Sequence, residues 1–184
     1  INTEQILLWI TELFLGLFTT HDKNLIHRDI KTDNLFLCEN DVLKIGDLGI
    51  AKAIEKSAFT VCGTHHYMAP EIHKNKEYDS KADVWAAGIV LYELIMLEKP
   101  FDGDNEEIVK QIEAFDFIKI PDNVDIRLKK LIEYMLIPDQ KLRYSSKEIL
   151  NLDFIKDTID LIEKKNLFQI DEDIKARIEN ISNQ

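Results

Sequence analysis

From Ser80 to Leu97 the chain carries a helical pattern with almost no polar face, because Val84, Trp85, Gly88, Ile89, Leu91, Tyr92, Leu94 and Ile95 surround the axis. A helix like this is stable only at the centre of a domain, with other elements laid around it. Ser80-Lys81-Ala82-Asp83 has the spacing of a capping box that opens it, and Pro100 is expected to break it. A chain of 184 residues is long enough to cover such a helix, and with only six glycines and four prolines it reads as a mostly helical globular domain.

The remaining pattern supplies those elements. Residues 3–21 place Ile6, Ile10, Leu13, Phe14 and Leu17 at helical spacing, with Thr3 as the expected cap. Leu25-Ile26 reads as a very short strand, and 35–37 with 42–45 as a hairpin around Glu39-Asn40-Asp41. The stretch 51–66 has no sustained period and reads as a loop. Helices are expected over 71–76, 105–114, 126–136 and 145–150, the last with a capping box in Ser145-Ser146-Lys147-Glu148. Residues 153–165 and 171–181 form charged amphipathic helices at the tail. No internal repeat or low-complexity segment is present.

Within this frame one stretch concentrates chemistry: His27-Arg28-Asp29-Ile30-Lys31-Thr32-Asp33-Asn34, followed after the hairpin by Asp47-Leu48-Gly49. A carboxylate can deprotonate a hydroxyl, an ammonium can neutralise phosphate, and an amide with a second carboxylate gives hard oxygens to magnesium. The hairpin brings Asn34 and Asp47 to neighbouring ends. H-R-D-x-x-x-x-N, then D-L-G, then Ala69-Pro70-Glu71 is the ordered signature that resembles eukaryotic protein kinases. The fold this implies is mainly α, a protein-kinase-like large (C-terminal) lobe with a small β-hairpin and no N-terminal lobe. It covers residues 1–155, with a catalytic loop at 27–34, an activation segment at 47–71 and a C-terminal helical extension at 156–184.

The resemblance assigns roles residue by residue. Asp29 is the catalytic base, Lys31 reaches the transferred phosphate, and Thr64 bridges the two, which implies a serine or threonine acceptor on a protein substrate. Asn34 and Asp47 would hold magnesium, and Phe36 would floor the adenine of ATP or, on its sequence pattern alone, join the core. Arg28 would pair with a phosphate placed by an activating kinase on Thr60, or failing that Ser57. Glu71 and Arg143 match a buried ion pair, and Asp83 is expected to hold the backbone of the catalytic loop. Leu48 replaces a commoner phenylalanine without loss of an apolar plug. His65-His66 stands where the family has proline and an aromatic residue, a departure that bears on peptide preference. Leu25–Leu37, Ile45–Lys52 and Lys81–Gly88 are most similar to the NIMA-related serine/threonine kinases.

Composition bounds partners. A net charge of −11 opposes a phosphate-tracking surface, so no nucleic acid is expected; an acidic face could favour basic peptides or serve only solubility. No apolar run approaches the roughly 20 residues that cross a bilayer. Cys38 and Cys62 are too few for a disulfide framework or zinc site and read as buried thiols in a reducing compartment, cytoplasmic or nuclear. The chain opens at Ile1 inside a helical pattern and contains no glycine-rich loop, strand lysine or partner glutamate helix, so it reads as a fragment. By itself it is expected to bind nucleotide weakly and to transfer little phosphate, which a tight, magnesium-dependent ATP titration would overturn. The alternative is a non-catalytic binding or scaffold module on the same fold. Intact Asp29, Lys31, Asn34 and Asp47 favour the enzyme.

Overall fold

The central helix, α3 (Lys81–Met96), is buried without a break from Ala82 to Tyr92, with Leu94 and Ile95 partly covered at its end. In the computed structural model, residues 2–46, 52–53, 65–114, 116 and 119–179 are described. Around α3 lie α1 (Thr3–His21), β1 (Leu25–Ile26), β2 (Leu35–Leu37), β3 (Leu43–Ile45), β4 (Lys52–Ala53), α2 (Pro70–His73) and α4 (Asn105–Ala114). They are followed by α5 (Ile126–Met135), α6 (Ser146–Leu150), α7 (Asp153–Lys164) and α8 (Glu172–Glu179). The fold is the mainly helical lobe with one small hairpin that the sequence implied.

Gly88 explains how closely α3 meets α5: a Cβ there would lie 2.7 Å from Leu136 Cδ2 and 3.0 Å from Met135 Cβ. The expected capping box at Ser80 does not form. Ser80 has helical dihedrals and caps nothing, and the Lys81 N–H turns to Asp79 Oδ1 at 2.7 Å. Asp83 cannot reach back to close the box, since both its oxygens accept amides from residues 27 and 28. The helix also ends before Pro100: Leu97 takes a left-handed conformation (φ 60°) and donates its N–H to Glu93 O at 2.8 Å.

α1 begins one residue earlier in its cap than the sequence suggested, with Asn2 Oδ1 accepting from the Gln5 N–H at 2.8 Å in place of Thr3. It is buried on more than the expected stripe, because Leu7, Leu8, Leu15 and Phe18 join Ile6, Ile10, Leu13, Phe14 and Leu17. Three contacts fasten it to the hairpin. Trp9 Nε1 donates to Asp41 O at 2.8 Å, the Leu43 N–H donates to Glu12 Oε2 at 2.7 Å, and a Cβ on Gly16 would meet Ile45 Cδ1 at 2.8 Å. The hairpin pairs Leu35 with Ile45 and Leu37 with Leu43.

The stretch expected as loop contains two short elements: β4, which pairs antiparallel with β1, and a 3-10 turn over His65–Tyr67. Cys38 is exposed rather than buried, since it lies at the outer end of the hairpin; Cys62 lies outside the described residues. The tail folds back on the lobe. Ile155 and Ile162 are fully buried, Asn151 Nδ2 donates to Ile178 O at 2.8 Å, and Arg177 pairs with Asp22.

Candidate active site

Residues 27–34 leave the β1 strand as irregular backbone, and a single buried acid holds them. Asp83, 1% exposed on α3, accepts the His27 N–H at 2.8 Å on Oδ2 and the Arg28 N–H at 2.9 Å on Oδ1. Arg28 sits at φ 73°, a left-handed conformation costly for a side-chain residue. The two bonds to Asp83 hold it there. The His27 ring extends the same support: Nε2–H donates to Gly46 O at 3.1 Å, at the far end of the hairpin.

Asp29, Lys31 and Asn34 converge as the sequence predicted. Lys31 Nζ is 2.8 Å from Asp29 Oδ2, and Asn34 Nδ2 donates to Asp29 O at 2.8 Å and to Oδ2 at 2.9 Å. Among the described residues these bonds to the carboxylate fall on Oδ2, which leaves Oδ1 as the oxygen available to a further donor. The same geometry fixes Asn34, 8% exposed, with its NH2 turned to Asp29 and its carbonyl oxygen as the acceptor it can offer elsewhere. A 3-10 turn over Thr32–Asn34 makes this spacing work by folding the chain back onto Asp29.

The hairpin then returns the chain to the same place. The Gly46 N–H donates to Asn34 O at 2.8 Å, which brings the end of the hairpin beside Asn34. Asp47 itself lies outside the described residues, as do Thr64, Thr60, Ser57 and Leu48. Phe36 presents its ring at 54% exposure, lying so close over Gly46 that a Cβ there would be 2.4 Å from Phe36 Cε2. A side chain at residue 46 would have to push that ring aside.

Sequence reasoning missed a second anchorage. Thr32 Oγ1 lies 3.1 Å from Tyr67 Oη, and Tyr67 donates to Glu93 Oε2 at 2.7 Å, so the 3-10 turn over His65–Tyr67 is fastened to the turn over Thr32–Asn34 and to α3. Burial pushes the Tyr67 hydroxyl up to about 12, which keeps it a neutral donor. Lys99 Nζ stands 5.4 Å from its ring centroid. His65 and His66 part company here: His65 stacks on His73 at 6.4 Å, while His66 Nε2 is 3.2 Å from Asp102 Oδ1. The Arg28 guanidinium lies 5.5 Å from the Tyr78 ring centroid, and its buried Nε has no hydrogen-bond partner among the described residues.

Below the site, Arg143 forks onto Glu71 as expected, Nη1 to Oε1 at 2.7 Å and Nη2 to Oε2 at 2.9 Å. Its remaining hydrogens go to the carbonyls of Ile137 and Lys81, each at 2.9 Å, and of Pro138 at 3.4 Å, and its face lies 5.0 Å from the Trp85 ring centroid. A buried charge so fully partnered is stable in place.

Comparison with known proteins places the chain in a family. A family model described as protein kinase domain matches residues 1–155. The chain is 40% identical over 163 residues to serine/threonine-protein kinase Nek5 of Homo sapiens, which covers 86% of this chain and 23% of that protein. It is 37% identical over 159 residues to serine/threonine-protein kinase Nek11 of Macaca fascicularis, with 84% and 25% covered. Against serine/threonine-protein kinase DCLK3 of Mus musculus it is 38% identical over 157 residues, with 80% and 20% covered. The chain therefore spans a quarter or less of the length of each. The Nek proteins bear out the NIMA-related resemblance. DCLK3, at comparable identity, shows that the matched residues extend beyond that group.

Proposed function

Because this chain belongs to the protein kinase family, we propose that it is the catalytic lobe of a serine/threonine kinase that transfers the γ-phosphate of ATP to a protein hydroxyl. The observation that carries this reading is the convergence of Lys31 Nζ and Asn34 Nδ2 on one oxygen of Asp29, at 2.8 and 2.9 Å. Two donors on Oδ2 aim that carboxylate, so Oδ1 can accept the substrate hydroxyl and take its proton. Lys31 then has a second partner to serve, since an ammonium beside the base can also meet the phosphoryl oxygens. Thr64 would bridge Asp29 and Lys31, and a threonine in that position supports a serine or threonine acceptor.

The residues fit a magnesium nucleotide. Asn34 offers a carbonyl oxygen with its NH2 committed elsewhere, Asp47 adds a carboxylate one residue after Gly46, and the exposed ring of Phe36 gives an apolar floor for adenine. Magnesium with ATP supplies the phosphoryl group and the positive charge that its oxygens need. The protein's own part is to hold the hydroxyl, orient it and accept its proton. The unpartnered Nε of Arg28 supports a further role, pairing with a phosphate on Thr60 or Ser57 introduced by an activating kinase. In the complete protein Thr60→Ala is then expected to lower activity, and unchanged activity would remove that role.

The test is phosphotransfer by the complete protein to serine, threonine and tyrosine peptides, with and without Asp29→Asn. Transfer to serine or threonine that falls by about 10²-fold or more in the variant is expected. Full activity in Asp29→Asn, or binding of partners with no transfer in the native protein, would favour the scaffold reading.

A further inference from the structure

Asp83 has a third donor, and behind it stands a residue for which neither the motif nor the helix caps account. His21, the last residue of α1, places Nε2 2.9 Å from Asp83 Oδ2 and Nδ1 2.9 Å from Ser146 Oγ. Ser146 is 3% exposed in the first turn of α6, where Ser145 already does the capping through Glu148. Its hydroxyl is therefore committed to His21.

We propose that Ser146 is a positioning residue for the candidate active site, holding the His21 ring so that its Nε2–H keeps Asp83 aligned under the amides of His27 and Arg28. The chemistry is directional. A carboxylate can only accept, so Nε2 must carry the hydrogen; Nδ1 of a neutral ring is then an acceptor, and Ser146 supplies the O–H it needs. The His21 side chain is only 7% exposed, so water does not replace a lost hydroxyl there without rearrangement. A ring that turns to find another partner takes Nε2–H away from Asp83. The acid then holds two successive amides with one fewer constraint, and one of them belongs to Arg28 at φ 73°. The relay joins α6, α1 and α3 to the two backbone amides just before Asp29. Its consequence for phosphoryl transfer rests on the kinase reading; the alignment of the backbone does not.

The experiment follows the complete, uniformly ¹⁵N-labelled protein by long-range ¹H–¹⁵N spectra of the histidine rings and by amide exchange, in the native form and in Ser146→Ala, Ser146→Thr and the cycle with His21→Gln. The native His21 is expected as the Nε2–H tautomer with Nδ1 hydrogen-bonded. In Ser146→Ala that Nδ1 signature is lost, and exchange at His27 and Arg28 quickens about ten-fold relative to Glu148 and Ile89. Ser146→Thr restores both. His21→Gln can still donate to Asp83 without needing the hydroxyl, so adding Ser146→Ala to it changes nothing at His27 or Arg28. An unchanged Nδ1 signature in Ser146→Ala, or exchange at His27 and Arg28 that moves only in step with the rest of the core, overturns the proposal. Neither readout needs activity, so such a failure leaves the kinase reading standing. An active Asp29→Asn protein would remove that reading and leave the relay intact.

Discussion

Glu12 is an acid where the surrounding helix is apolar, on the same face as Leu8 and Leu15 and only 6% exposed. Burial pushes its carboxyl up to about 7 from an ordinary 4.5, and the Leu43 N–H that it accepts pulls the other way without winning. A folded value above the unfolded one means the proton stabilises the fold. That contribution is complete below about 4.5 and is lost as pH rises through about 7. Glu12→Gln keeps an acceptor for Leu43 and cannot ionise. The variant should match the native protein near pH 4 and exceed it above pH 7 by on the order of 2–3 kcal/mol in urea unfolding. Equal stability at both ends would show that Glu12 is not held this way. The residue was legible in outline, since positions 8, 12 and 15 share one helical face; His21 was too, falling in register with Phe14 and Leu17. What such spacing cannot say is which distant group each one meets.

At the scale of elements, the lobe is tied by a few buried polar links laid over the apolar packing of α3. The fork of Arg143 on Glu71 joins α2 to the segment between α5 and α6. Removing Glu71 leaves a guanidinium that is 0% exposed without its counter-charge. Glu71→Ala is expected to cost about 3–5 kcal/mol in denaturant unfolding. Loss of less than about 1 kcal/mol would mean that the carbonyls of Ile137, Lys81 and Pro138 suffice for the charge. Element positions were largely readable from period and caps. The errors came where a side chain had a better partner than its own helix. Asp83 is the clear case: its spacing from Ser80 predicted a capping box, and tertiary structure took its carboxylate for the residue 27–28 amides. Leu97 ended α3 by its own dihedrals before Pro100 could.

For the molecule as a whole, the ordered motifs fixed the family because each needs the others at a set separation, and the fold bears them out as one helical lobe. Asp29, Lys31 and Asn34 were legible because their spacing is local and a single 3-10 turn brings them together. The Thr32, Tyr67 and Glu93 chain and the Ser146, His21 and Asp83 chain were not, since each links positions far apart in sequence through hydrogen bonds that no periodicity encodes. In the proposed kinase reading Asn34, beside Gly46 and Asp29, faces a bound magnesium nucleotide. The most direct test is paramagnetic broadening by Mn²⁺ in the complete, ¹⁵N-labelled protein with ATP. The Asn34 side-chain amide and the Gly46 N–H are expected to broaden only when nucleotide is present, while the amides of α8 stay sharp. Nucleotide that binds and leaves Asn34 and Gly46 sharp would contradict it.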